Sequence, residues 1–493
     1  VIRQITPIPG GIRARFPPVC TLLERPIMRA LLLLGCSLFL GVSACGSDDS
    51  SNDGTGAGGS QSTGGTNSGG SSTGGSSTGG SSTGGSSSGG APTGGNGGTT
   101  TGGSGGTGGS GSTPATGDRY VATDGTDSGD CSTNPCKTLS YAGQQLQSGE
   151  VLVMKDGSYP DSVDSNTLPK GTAGAFTVVR AEHDGAVTIT GSLELHQNAD
   201  FFLEFQGMRF ESSDSKGVAG GNVRFLRVAF IGGPATGNTV SFGVGTNDFQ
   251  PGAWDVLCED CIFRGLGGRY AALVYRGENV TFRRIVARKD GGWGIGSSGA
   301  TNFEPEGVIV FYETKNSTCE KCVALDSLKE SHSSAEALGS IIQNSHTNQH
   351  TNVTLSECFA VNNEFAGFSF EGNGSVGTTT VSDSYSADNS ANGFTANVDG
   401  NITLTRIASL SNDGTGVASY GDATVTLTDS KVSGNGETLN GVSGSTTGAG
   451  PHVIDLSQFD NSRLKSELCD LAQVSRGYCA DGTSFQDYLQ SFF

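Results

Sequence analysis

The chain has 493 residues, 80 of them Gly, with 34% hydrophobic and only 7% aromatic residues and a formal net charge of −19. That much glycine is incompatible with one ordinary globule, and so acidic a chain offers no general surface for nucleic acid. The only long apolar run, Ala30 to Leu40, has about half of the roughly 20 residues that a membrane-spanning helix needs, so none is expected.

Met28 and Arg29 precede that run, giving the charged start and apolar stretch of a secretory signal, with residues 1–27 read as upstream translation. The run ends in Val42-Ser43-Ala44-Cys45, which resembles the lipobox of bacterial lipoproteins. The resemblance implies that Cys45 is diacylated and becomes the new N-terminus. The protein is then exported and held at the bacterial outer membrane or cell surface through this lipid anchor only. Residues 46–117 are mainly Gly, Ser and Thr, in repeats such as Ser71-Ser72-Thr73-Gly74-Gly75. Almost nothing in them offsets the entropy of ordering, so a disordered linker with a root-mean-square span of about 45 Å is expected. Residues 118–493 exceed the usual size of one core and call for two domains or an elongated architecture.

In this remainder a short pattern recurs at Met208, Val228, Cys261, Ile285, Cys322, Cys358, Ser384, Ile407 and Ser430, termed anchors below. Three residues before them stand Phe205, Phe225, Cys258, Phe282, Cys319, Leu355, Val381, Leu404 and Leu427, an apolar column. Five residues after the last four anchors stand Asn363, Asn389, Asn412 and Asn435. Asn repeated at one turn suits a left-handed corner and lets side-chain amides hydrogen-bond up a stack. A unit of about 23 residues with short β-rich segments, such as Val353-Thr354-Leu355, fits one coil of a parallel β-solenoid. Nine anchors predict nine or more coils, stacked over about 45 Å at one strand spacing per coil. The longest spacings place extra loops near residues 232–254, 294–307 and 329–350, expected to wall any cleft.

These columns resemble the right-handed parallel β-helix superfamily, the fold of pectate lyases and related polysaccharide-active proteins. The likeness extends to the opening, Tyr120-Val121-Ala122, Asp124-Gly125-Thr126-Asp127, Cys136-Lys137-Thr138-Leu139 and Asp156-Gly157-Ser158-Tyr159. It implies an all-β domain over 118–493 with short helical caps at both ends, because an open coil end exposes core and unpaired strand edge. Leu139 to Leu146 is the N-terminal cap; the C-terminal cap begins near residue 451 and is helical over Asn461 to Val474.

Setting aside Cys20, Cys36 and Cys45 leaves nine cysteines, an odd number, so at least one is expected free. Cys131 with Cys136 and Cys469 with Cys479 are local pairs in the two caps, where disulfides would stabilise the solenoid ends. Cys258-x-x-Cys261 and Cys319-x-x-Cys322 do not share one zinc. The coil of Ile285 sets them about 9.6 Å apart, whereas a tetrahedral zinc needs every sulfur about 2.3 Å away. Inward packing or corner disulfides remain for these pairs, and Cys358 is the candidate for the leftover thiol.

Positive charge concentrates in Arg264, Arg269, Arg276, Arg283, Arg284, Arg288 and Lys289, with Glu278 the only acid within the cluster apart from this run's flanks. Arg264 and Arg288 each lie three residues after an anchor and should be neighbours on adjacent coils. Arginine binds carboxylates in a fork, so an acidic polysaccharide is the natural ligand; a solvated face paired with Asp255, Glu259 and Asp260 is the alternative. Asp290 falls where later coils carry the Asn ladder and reads as a turn residue. Trp293 suits stacking on a sugar ring or packing in the core, leaving Arg288 and Lys289 without an evident structural duty. His346-x-x-x-His350 lies in a polar loop rather than on a metal-binding helix.

In β-helix lyases a basic side chain removes the proton beside a uronate carboxylate, which calcium or positive side chains neutralise. The resemblance therefore implies Lys289 or Arg288 as the base and Arg264 and Arg284 as carboxylate holders. Trp293 would add a sugar contact, and Glu304, Glu306 and Asp326 a calcium site. The tripeptide signatures of polygalacturonases and the Asp-Pro-His-Asp motif of alginate epimerases are absent. Two readings follow for a monomeric chain. One is a lyase that binds a uronate-containing polysaccharide and cleaves it by β-elimination; the other is a non-catalytic cell-surface adhesion or structural β-helix.

Overall fold

The computed structural model describes residues 116–214, 216–233, 238–243, 252–265, 270–290, 307–328, 339–344, 352–459, 461–469 and 476–493. Each repeat in them turns one coil, as the coil of Cys358 illustrates. Its strand Val353–Ser356 buries Leu355, Glu357 turns a corner at φ 52°, and the Cys358 side chain enters the core. The strand Phe359–Val361 follows, Asn362 turns a second corner at φ 51°, and Asn363 is buried behind it. The strand Ala366–Ser382 then forms the third side and runs on into the next coil. All strand ladders are parallel and collect into sheets of 21 and 11 strands, giving an all-β, right-handed parallel β-helix. The smaller sheet takes one strand from each coil, from Gly157–Tyr159 to Lys431–Ser433.

The expected apolar column is continuous in register. Phe205, Phe225, Cys258, Phe282, Cys319, Leu355, Val381, Leu404 and Leu427 are partners on successive coils and all are buried. In the smaller sheet Phe210, Phe230 and Phe263 stack at 5.7 and 5.2 Å. Stacking like on like is what a parallel in-register coil imposes, and each buried ring contributes on the order of 2–3 kcal/mol.

The Asn ladder exists, but its residues are not the left-handed ones. The positive φ falls on the residue before each, Asn362, Asp388 and Ser411, while the amides of Asn363, Asn389 and Asn412 turn inward. Each amide Nδ2 donates to the Oδ1 of the next Asn at 2.9–3.0 Å. It also donates to a backbone carbonyl of the preceding coil, Ala324, Ala360 or Ser386. The corner carbonyls of a solenoid face away from water, so an amide that both donates and accepts satisfies them coil after coil.

At the N-terminal end α1 (Leu139–Gln145) closes the first coil, with the Thr138 hydroxyl accepting the Tyr141 N–H at 3.2 Å and Leu139 and Ala142 buried. Cys131 and Cys136 are bridged beside it, as are Cys469 and Cys479 near the other terminus. The C-terminal helical segment is α2 (Asn461–Cys469), followed by α3 (Tyr478–Asp481) and α4 (Phe485–Gln490). These helices pack sideways rather than over the last coil. Leu464, Leu468, Tyr478, Phe485 and Leu489 cover the outer face of the smaller sheet, against Ile231, Ile262, Val286, Leu325 and Phe359. The reason is plain in those sheet residues: their outward positions are apolar and require a cover.

Candidate functional site

Within the basic cluster, Arg264 and Arg288 are register partners on adjacent strands, as their spacing from the anchors requires. Both are fully buried, and so is Lys289. One carboxylate joins the two guanidiniums: Asp290 Oδ2 accepts from Arg264 Nε and Nη2 at 3.1 and 2.9 Å, and Asp290 Oδ1 accepts from Arg288 Nε at 2.6 Å. Arg288 Nη1 meets Cys479 Sγ, at the start of α3. The expectation that Arg288 and Lys289 carry no structural duty is therefore corrected. Arg288 ties the smaller sheet to the C-terminal segment, and the Lys289 backbone N–H donates to Ser327 Oγ at 3.0 Å in line with the Asn ladder. Asp290 occupies that ladder position too, but as a counter-ion rather than a plain turn residue. A base must reach a substrate proton, and neither side chain meets solvent here.

Arg284 is also committed. Its Nε and Nη2 form a fork on Asp260 at 2.7 and 3.0 Å, and it contacts Glu259. The hydrogen bonds it donates to Asp260, and the charge of Asp260 and Glu259, hold its guanidinium well above the ordinary arginine range. Arg283 lies between Glu259 and Glu320 at 3.1 and 3.0 Å. The paired-face alternative holds for Glu259 and Asp260, whereas Asp255 accepts instead from Asn279 Nδ2 at 3.1 Å.

Asp326 does not fit a calcium site. Its Oδ1 accepts from Asn362 Nδ2 at 2.7 Å and from the Tyr488 hydroxyl, and its Oδ2 from the Tyr478 N–H at 2.8 Å. Burial pushes this carboxyl up, opposed by those three donors. Its oxygens are taken up by the neighbouring coil's Asn362 and by docking the C-terminal segment through Tyr478 and Tyr488. Glu304, Glu306, Trp293, Arg269, His346, His350 and Cys45 lie outside the described residues.

The loop walls expected near 294–307 and 329–350 also fall largely outside the described residues, but their ends are placed. In three consecutive coils the chain leaves the smaller sheet after Gly265, Lys289 and Leu325, and re-enters the larger sheet at Tyr270, Gly307 and Gly339. All three connections thus span one corner. At the far end of the strands that two of these connections lead into, Tyr270–Tyr275 and Gly307–Tyr312, lies a feature the anchor columns did not reveal. Tyr275 and Tyr312 are register partners on the outer face and stack with centroids 4.9 Å apart, above buried Tyr270, Leu273 and Val310. The Arg276 guanidinium is 5.1 Å from the Tyr275 ring and its Nε donates to Glu313 Oε2 at 2.8 Å. Both rings are half-buried. A signal was present: Tyr275-Arg-Gly-Glu-Asn279 and Tyr312-Glu-Thr-Lys-Asn316 repeat one pattern, with both Tyr on the outward parity of their strands.

No family model and no curated protein matches the chain. Among solved structures it is similar to the A-module of the Azotobacter vinelandii mannuronan C-5 epimerase AlgE4, 11% identical with a TM-score of 0.33 over 60% of this chain and 91% of that one. Pectate lyase Pel9A is 14% identical with a TM-score of 0.35, over 64% of this chain and 78% of that one. The alginate lyase from Paenibacillus sp. str. FPU-7 is 10% identical with a TM-score of 0.31, over 65% and 97%. No residue role passes from them to this chain.

Proposed function

We propose that this protein binds an extended acidic, uronate-containing polysaccharide on the outer face of the coils that carry Tyr275 and Tyr312. The observation that carries the reading is the tyrosine stack itself. Two aromatic rings stand at equal positions on adjacent coils, beside Arg276. Aromatic bodies with polar tips suit a sugar chain, which presents apolar ring faces and hydroxyl edges. Binding without cleavage is favoured over β-elimination, because of the bases the family resemblance suggested Arg288 lies under the C-terminal segment and Lys289 is fully buried. In the same proposal the domain is held at a membrane through Cys45 and the 46–117 linker, which incorporation of labelled fatty acid at Cys45 tests directly.

Alginate and pectate, polymers of this class, are the natural probes. Titrated with either at low salt, the mature protein is expected to bind and to release no unsaturated product by ultraviolet absorbance. Tyr275→Ala with Tyr312→Ala should weaken binding about tenfold, the scale of two aromatic contacts. Unchanged affinity in that double variant would place the binding face elsewhere, and product formation would restore the lyase reading.

A further inference from the structure

Two Cys-x-x-Cys segments occupy the same place in two coils, and only one of them is bridged. Cys319 and Cys322 form a disulfide with Cα atoms 5.8 Å apart, while Cys258 and Cys261 carry thiols. We propose that Cys258 and Cys261 form a second intracoil disulfide, which leaves Cys358 as the single thiol of the β-helix domain.

The argument is the equivalence of the two sites. Cys258 and Cys319 stand in one inward column, each a register partner of Phe282 on the coil between them. Both segments turn through a left-handed residue just before the second Cys, Asp260 at φ 56° and Lys321 at φ 54°. The second sulfurs point at equivalent atoms. Cys261 Sγ contacts the carbonyls of Phe225 and Glu259 at 3.3 and 3.4 Å, and Cys322 Sγ those of Phe282 and Glu320 at 3.6 and 3.9 Å. In each case the first carbonyl belongs to the column residue of the preceding coil and the second to the residue two before the Cys. Cys258 and Cys261 are already in side-chain contact, and both are buried. One backbone path thus serves both pairs, and in the bridged pair it sets the Cα atoms at a spacing inside the disulfide range.

The third coil of this kind lacks a partner. Cys358 Sγ sits the same way, 3.3 Å from the carbonyls of Cys319 and Ser356, but three residues earlier stands Leu355. Its sulfur also lies within reach of Cys319 and Cys322, and those two are joined to each other. Burial pushes the Cys358 thiol up to about 12, which leaves it without thiolate to attack its neighbours' bridge. Formation of the new bond removes two protons and two electrons from Cys258 and Cys261. A small-molecule disulfide oxidant takes them up and is released as two thiols, before the coil closes over the site.

The test is a thiol census on the full mature chain, purified without reductant, unfolded in denaturant with a maleimide and mapped by peptide mass. One label within residues 118–493, at Cys358, and a peptide joining Cys258 to Cys261 that is two hydrogens lighter than the dithiol are expected. Labels on Cys258 and Cys261 in a sample whose Cys319–Cys322 bridge is intact would overturn the proposal, as would a bridge from either to Cys358. In Cys258→Ser, Cys261 should gain a label; if it stays unlabelled, its partner is another residue and the assignment fails.

Discussion

Asp290→Ala is expected to lower the stability of the β-helix by about 3–5 kcal/mol, the scale for breaking a buried ion pair by deleting one partner. Arg264 and Arg288 are both buried and both donate to this carboxylate, so its loss sets two guanidiniums side by side without the charge between them. The Arg288 end of the network also reaches Cys479, so the damage should extend to the docking of the C-terminal segment. Denaturant unfolding measures the first effect, and limited proteolysis after residue 450 the second. A midpoint equal to that of the unaltered protein would mean that the carboxylate neutralises nothing of consequence.

Asn389→Ala should cost about 3 kcal/mol or more although it removes no charge. The Asn389 Oδ1 accepts the Asn363 N–H at 3.1 Å and its Nδ2 at 3.0 Å, and its own Nδ2 donates to the Ala360 carbonyl at 2.8 Å and to Asn412 Oδ1 at 2.9 Å. The buried Asn363 N–H and Ala360 carbonyl would lose this partner, at about 1–3 kcal/mol apiece less whatever the coil can relax, whereas Asn363 Nδ2 keeps the Ala324 carbonyl and Asn412 Oδ1 keeps the backbone N–H of residue 389. Asn435→Ala makes the comparison, because Asn435 ends the ladder at a partly exposed position and has no following Asn to lose. Equal losses at 389 and 435, read from thermal melts, would show that the ladder is not stabilised by its continuity.

These two residues also mark how far the sequence was readable. The Asn ladder and the column from Phe205 to Leu427 recur at fixed offsets, and a coil that repeats in space must repeat in sequence, so both were legible. Which corner residue takes the positive φ was misassigned, because Asn is a good left-handed residue in general and here it is needed for its amide. The duty of Arg288 and Lys289 was hidden for a different reason. The cover of Arg288 comes from α3, with Cys479 191 residues further on, and no local pattern announces so distant a contact. A partial signal was available in Val323-Ala324-Leu325 and Phe359-Ala360-Val361, which are apolar on both parities, whereas Thr318, Thr354, Thr380 and Thr403 mark the uncovered outward positions of the larger sheet. The tyrosine pair escaped because it lies outside the anchor frame, in the part of the coil whose length varies most.

The course of the C-terminal segment bears on how the molecule assembles. Coils of a solenoid touch only their neighbours, which by itself permits folding to start anywhere and ends to open independently. Here Arg463 donates to the carbonyls of Arg227 and Met208, Arg476 to that of Asn362, and Tyr478 to Asp326, so a segment made after the coils binds ones completed long before it. During synthesis the apolar outer face of the smaller sheet stays bare until those residues emerge, and that interval is when the growing chain is most exposed to aggregation. Once they have docked, the opening of one coil must also undo a strap shared with several others. A stack of independent turns becomes one cooperative unit, with its closing contact made by residues that follow the coils.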